Sequence, residues 1–133
     1  MKGLCVLVVD DSSLMRGLLA EAIRASDVPI DDVQGARDGV EALEVLGERH
    51  IDVVITDLQM PRVDGFELVA RIALRRDLAH LRIITMSADT SPREALRATA
   101  MKVHARLTKP VRFDTVKAVL AEIWALGDQP PSR

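Results

Sequence analysis

At 133 residues the chain suffices for one domain and is too short for two ordinary ones. Its 48% hydrophobic content is enough to bury a core, while a net charge of −2 with both signs interspersed gives no footprint for nucleic acid. Cys5 is the only cysteine, so an internal disulfide is excluded and nothing argues for an oxidising compartment. The first apolar run is short, ends in two aspartates and lacks a cleavage site. A soluble, cytoplasmic chain with no membrane insertion is expected.

In chain order, Leu4–Val9 is a nearly continuous apolar run, as expected of a parallel strand covered on both faces. Leu14, Leu18, Leu19, Ala22 and Ile23 then make one helical stripe. Val33–Ala36 is a weaker strand candidate, and Asp38-Gly39-Val40-Glu41 has the spacing of a capping box that opens a second helix. The third strand, Val53–Thr56, runs straight into Asp57, and Leu68, Val69 and Ile72 form a short stripe after it. Ile83–Met86 is the fourth strand. Ser91-Pro92-Arg93-Glu94 repeats the capping-box spacing with proline at the first helical position. Ala105–Thr108 is a weak fifth strand. Val116, Val119, Leu120, Ile123 and Trp124 form the last stripe, which Gly127 stops. Residues 1–126 read as one domain, and residues 127–133, with two prolines, as a frayed tail or the start of a linker.

The pattern is (βα) five times: an α/β fold with a doubly wound, five-stranded parallel sheet of the flavodoxin-like kind. With strand order 2-1-3-4-5, the first and third strands are neighbours, and ligands sit at the carboxyl ends of the strands. The first strand ends in Asp10-Asp11 and the third in Asp57, so three carboxylates converge on one edge. Clustered carboxylates repel unless a cation joins them, and an all-oxygen set suits Mg²⁺ better than zinc. The plainer reading is that Asp11 caps the first helix and Asp10 is solvated. The third acid on the adjoining strand weighs against it.

Two further strand ends add chemistry. "RIITMSAD" places the Ser87 hydroxyl at the rim and "RLTKP" places Lys109 there. Alone, each would be a turn residue or a solvated charge. Together with the acids they match the needs of a phosphoryl group on Asp57: a cation and Lys109 to neutralise its oxygens, and Ser87 to donate a hydrogen bond. A carboxylate is a competent nucleophile for such a transfer, through an acyl phosphate.

The segments "VLVVDDSSLMR", "ARDGVEALEVL", "VVITDLQMPRVDGFELV", "IITMSAD" and "TKP" stand in an order and spacing that resembles the receiver domain of bacterial response regulators, especially the single-domain chemotaxis type. The resemblance spans about residues 4 to 126. It implies phosphoryl transfer from the phosphohistidine of a sensor histidine kinase or phosphotransfer protein to Asp57, with Mg²⁺. By the same match Asp10, Asp11, Asp57 and the backbone carbonyl of Gln59 are the metal ligands. Ser87 is the switch hydroxyl and Lys109 the phosphate-binding lysine. Gln59 and Asp89 flank the phosphoryl group, at positions that tune its lifetime. Pro110 matches the family's cis-proline.

Three departures stand out. The position three before the lysine, usually an aromatic switch residue, is Arg106, so its inward swing behind Ser87 is in doubt. Lys102-Val103 replaces the usual Gly-Ala after the fourth helix, so that helix needs another termination. Leu58 follows the acceptor and Trp124 lies on the last helix, so intrinsic fluorescence should report phosphorylation poorly. The output face implied for a downstream protein partner, helix 4, strand 5 and helix 5, carries Arg93, Arg97, Lys102, Arg106, Arg112 and Lys117. These residues suit an acidic partner, or are simply a solvated face. No direct nucleic-acid contact is expected.

Other classes fit less well. A Mg²⁺-dependent aspartyl-phosphate phosphohydrolase of the haloacid-dehalogenase kind needs its nucleophile on the first strand with a second Asp two residues later. Here Asp10 is followed by Asp11, Ser12 and Ser13. A receiver cut from a larger regulator is a further reading. So is a degenerate receiver that only binds, against which the complete acid, hydroxyl and lysine set argues. The chain is therefore expected not to be an enzyme beyond catalysing its own phosphotransfer and dephosphorylation.

Overall fold

The structure, a computed structural model, describes residues 2–88 and 91–127. Strands β1 (Leu4–Val9), β2 (Ile30–Ala36), β3 (Val53–Asp57), β4 (Arg82–Ser87) and β5 (Ala105–Thr108) form one parallel sheet in the order β2-β1-β3-β4-β5. Helices α1 (Ser13–Arg24), α2 (Gly39–Glu48), α3 (Gly65–Ala73), α4 (Pro92–Ala100) and α5 (Phe113–Leu126) alternate with the strands, and a 3-10 turn at Arg76–Leu78 precedes β4. The expected (βα)₅ order is the observed one.

Side chains of a strand alternate between faces, and this chain fills both. Val6 and Val8 pack with Leu19 and Ile23 of α1 and with Val116, Leu120 and Ile123 of α5. Leu7 and Val9 pack on the other face with Leu46 of α2 and Leu68, Val69 and Ile72 of α3. Every residue of β3 is buried, which is why its sequence is an unbroken run rather than an alternation. β2 is an edge strand of mixed exposure and begins at Ile30, earlier than its Val33–Ala36 signal.

The caps follow their signals. Asp38 accepts from the Glu41 N–H, and Ser91 from the Glu94 N–H. α5 ends at Gly127, whose φ of 59° lies in the left-handed region. One expectation is corrected and one alternative reading is set aside. Leu14 is 72% exposed: the buried stripe of α1 is Leu19, Ala22 and Ile23, with Met15 against it, and Leu14 is one position off that face. Ser12, not Asp11, caps α1 by accepting from the Met15 N–H. Among the described residues no helix is long and apolar enough to cross a membrane.

The turn after β3 depends on a close backbone approach. A Cβ on Gly65 would lie 2.2 Å from the Asp57 carbonyl oxygen and 2.6 Å from Leu58 Cα, both backbone atoms that cannot swing aside. Gly65→Ala should therefore lower stability by about 1–3 kcal/mol. Gly17, inside α1 with nothing within 4 Å of its would-be Cβ, offers the opposite case. Gly17→Ala should raise stability by about 0.5–1 kcal/mol. Urea unfolding checks both, and a Gly65→Ala variant as stable as wild type would contradict the packing described.

Candidate functional site

Parallel pairing brings the site together. Val9 of β1 pairs with Thr56 of β3, so Asp10 and Asp57 leave adjacent strands at the same level. Asp57 pairs with Met86, one residue before Ser87, and Ser87 pairs with Thr108, one residue before Lys109. All these ends lie on the carboxyl edge of the sheet.

Carboxylate oxygens of Asp10, Asp11 and Asp57 lie within 4.8 Å of one another. Asp10 and Asp57 are buried and Asp11 is exposed. Lys109 Nζ donates to Asp57 Oδ2 at 2.9 Å and lies 4.0 Å from Asp10 Oδ2. The Gln59 N–H donates to Asp57 Oδ1 at 3.2 Å. Asp10 Oδ1 accepts from the Ser12 N–H at 2.9 Å, and its backbone carbonyl accepts from Arg16 Nη1 at 2.7 Å. Asp10 Oδ2 is buried and has no hydrogen-bond donor.

One ammonium facing three carboxylates leaves the pocket in excess of negative charge. Burial pushes the Asp10 carboxyl above the ordinary aspartate range, and the neighbouring Asp57 adds to this. The Ser12 amide and Lys109 oppose it. A hard divalent cation fits the residues present, because it would supply the missing partner of Asp10 Oδ2 and an all-oxygen donor set awaits it. The cluster of Asp10, Asp11 and Asp57 is thus able to hold a metal ion.

The loop that carries Asp57 onward is fastened to the start of α2. Arg62, with φ of 61°, donates from Nε to Asp38 Oδ2 at 2.7 Å, and its Nη2 lies 2.6 Å from the same oxygen in an ion pair. Burial acts to raise the Asp38 carboxyl, but the Glu41 amide and the Arg62 guanidinium outweigh it and hold it below the usual range. The Gly39 N–H also donates to the Val63 carbonyl at 2.8 Å.

Each predicted residue has a definite place. Gln59 is at the exposed rim, and its Nε2 donates to Glu94 Oε2 at 2.7 Å. Ser87 is half-buried at the end of β4, where its carbonyl accepts from the Lys109 N–H. The Lys109-Pro110 peptide is cis. Asp89 lies outside the described residues. Arg106 is not in the pocket: its guanidinium donates to the carbonyls of Ala98, Thr99 and Met101, which supplies the termination of α4 that the sequence lacked. Arg97 lies over the Phe66 ring at 4.0 Å, so two of the six basic residues are already engaged. The sequence does not show the tertiary contacts that Arg16, Arg62 and Glu94 make. Their contacts span 6, 24 and 35 residues and leave no local pattern.

The raised Asp10 value has a signed consequence. A folded pKa above the unfolded one favours the neutral acid in the fold, so stability is lost as pH rises from the ordinary aspartate range through the raised one. In chelator, Asp10→Asn should therefore be close to wild type in stability at low pH. It should become more stable by about 1 kcal/mol as pH climbs past that window, since it removes a buried charge one of whose oxygens lacks a hydrogen bond. Urea titrations at several pH values check this. A variant less stable than wild type at neutral pH would contradict it.

Comparisons with known proteins agree with this geometry. The family model for the response regulator receiver domain matches residues 6–121. The chain is 31% identical over 123 residues to chemotaxis protein CheY-3 of Vibrio cholerae, covering 92% of this chain and 93% of that protein. It is 36% identical over 115 residues to the sensor histidine kinase RcsC of Escherichia coli, covering 86% of this chain but spanning only 12% of that protein. Among solved structures, a response regulator receiver protein from Pseudomonas putida superposes with TM-score 0.81 at 30% identity, over 92% of this chain and 98% of that one. CheY4 of Vibrio cholerae superposes with TM-score 0.78 at 27% identity, over 92% and 99%. With its sheet order and carboxylate edge already established, the chain belongs to the response regulator receiver domain family and is the receiver of a two-component signalling system.

Proposed function

We propose that Asp57 is the phosphoacceptor, and that it takes a phosphoryl group from the phosphohistidine of a sensor histidine kinase or phosphotransfer protein. The observation that carries this reading is Lys109 Nζ seated 2.9 Å from Asp57 Oδ2 inside a carboxylate cluster whose Asp10 oxygen lacks a donor. A lysine placed only to neutralise Asp57 would leave that oxygen unexplained. A lysine shared with a cation accounts for both.

In the transfer, one Asp57 oxygen forms the O–P bond as the N–P bond to the imidazole breaks, and the electron pair leaves with the imidazole nitrogen. Lys109 passes its hydrogen bond from the carboxylate to a phosphoryl oxygen. Ser87, one residue beyond the β4 partner of Asp57, donates to another. The Gln59 N–H keeps the carboxylate turned toward the pocket by holding Oδ1. Asp10, Asp11, Asp57 and the Gln59 carbonyl are the ligands for Mg²⁺. When bound, that ion supplies charge neutralisation at the phosphoryl oxygens.

The signal leaves as a phosphorylation-dependent contact with a protein partner in the cytoplasm, through the face of α4, β5 and α5. No free substrate is turned over. Gln59 and Asp89 set how long the phosphoryl group lasts, and replacing Gln59 by leucine should change the dephosphorylation rate. The same chemistry would serve a receiver within a larger protein.

Intact mass after incubation with phosphoramidate and Mg²⁺ tests the proposal. One phosphoryl group should add to the wild type and none to Asp57→Asn, nor to the wild type in chelator. A folded, Mg²⁺-binding protein that gains no phosphoryl group would refute it.

A further inference from the structure

α4 has a thin apolar hold. It buries Ala98 alone, whereas α3, also nine residues long, buries five residues. Its position depends on polar ties at both ends. In its first turn Glu94 accepts from the Gln59 side chain at 2.7 Å, and the backbone N–H of that same Gln59 donates to Asp57. At its last turn Arg106 reaches back from β5. Its Nε donates to the Ala98 carbonyl at 3.1 Å, and its Nη2 to the Thr99 and Met101 carbonyls at 3.1 and 2.6 Å.

A helix leaves its last carbonyls without intrahelical donors. A glycine in the left-handed region often closes that end, but here the chain exits through Met101 at φ −76° and ψ 139°. One guanidinium therefore satisfies the carbonyls and places a positive charge at the negative end of the helix dipole. The missing glycine and the missing aromatic are one arrangement.

We propose that Arg106 is a latch on the C-terminal end of α4, holding that helix in the place it takes in the unphosphorylated receiver and releasing it when Asp57 is phosphorylated. This rests on the phosphoacceptor reading of Asp57. Arg106 pairs with Thr85 in the β4–β5 register, two residues before Ser87 on one strand and three before Lys109 on its own. A phosphoryl group that draws in Ser87 and Lys109 pulls on the ends of β4 and β5, and so on the base of the latch. It also alters the Asp57 carboxylate that the Gln59 N–H holds, and Gln59 is the residue whose side chain ties the other end of α4. A charged guanidinium cannot fill an apolar space as a ring would. Arg106 is already exposed, so its route on release is into water. Ala100, Met101 and Lys102 wall a groove of about 650 Å³ against α3, and they shift with the freed helix end. The surface shown to a partner changes as a result.

Amide hydrogen exchange of the full chain, read on peptides covering residues 95–104 with and without phosphoramidate and Mg²⁺, tests the latch. Arg106→Met keeps the stem and removes every donor. It should speed exchange there by about tenfold to a hundredfold in the unphosphorylated protein. Arg106→Lys should fall between, because an ammonium lacks the fork that spans the carbonyls. Phosphorylation, verified by intact mass, should raise wild-type exchange toward the methionine variant and change the variant by less than about twofold. Peptides from β1 and β3 report that each variant is folded. Exchange in Arg106→Met equal to wild type would refute the latch. A phosphorylated wild type with unchanged exchange would refute its release. No added mass would overturn the trigger together with the Asp57 reading, and the mass itself tells that failure from the other two.

Discussion

The structure depends on negative charge crowded at one sheet edge. Asp10 and Asp57 are 1% and 3% exposed, on neighbouring strands, and the register that seats Val9 beside Thr56 leaves them no room to diverge. Burying carboxylates is costly unless they are paired and hydrogen-bonded. Here one lysine and two backbone N–H groups give partial relief, the exposed Asp11 adds to the crowding, and Asp10 Oδ2 gets no hydrogen bond. The apolar layers on both faces of β1 and β3 supply the stability that lets the edge stay in this condition. A site left short of positive charge is one that a cation can complete.

The loops around the edge divide into fixed and tethered parts. Gly65 lets the chain turn against the Asp57 carbonyl, and Arg62 fastens the loop to the cap of α2. That side of the pocket is held by close packing and by a charged pair that is half in the interior. The α4 side is held mainly by exposed polar ties, whose individual contribution is small. Segments with few buried apolar contacts open most readily. The rigid side therefore sets the geometry of Asp57, and α4 is the element most easily displaced by what happens there.

Much of this was legible in the residues. β1 and β3 stand out because strands covered on both faces are apolar throughout, and Asp38 and Ser91 because caps are local. The three acids, Ser87 and Lys109 were found because a parallel sheet brings all strand ends to one edge. β2 reads short in the sequence because an edge strand of mixed exposure has no clean period. Leu14 reads onto the buried face although it is exposed, because leucines at 14, 18 and 19 satisfy a helical repeat without fixing where it begins. The assignment of the α1 cap to Ser12 turns on one backbone N–H. Arg106 was seen as a departure, but its role needs the folded distance between β5 and the end of α4, which no spacing encodes.

We propose that a divalent cation completes the carboxylate edge, and a Mg²⁺ titration of the unfolding free energy tests this. Above the dissociation constant the wild type should gain about 1.4 kcal/mol for each tenfold rise in free Mg²⁺, and replacing Asp10 by alanine should flatten that dependence. An unfolding free energy in the wild type that is indifferent to Mg²⁺ across the millimolar range would contradict the account.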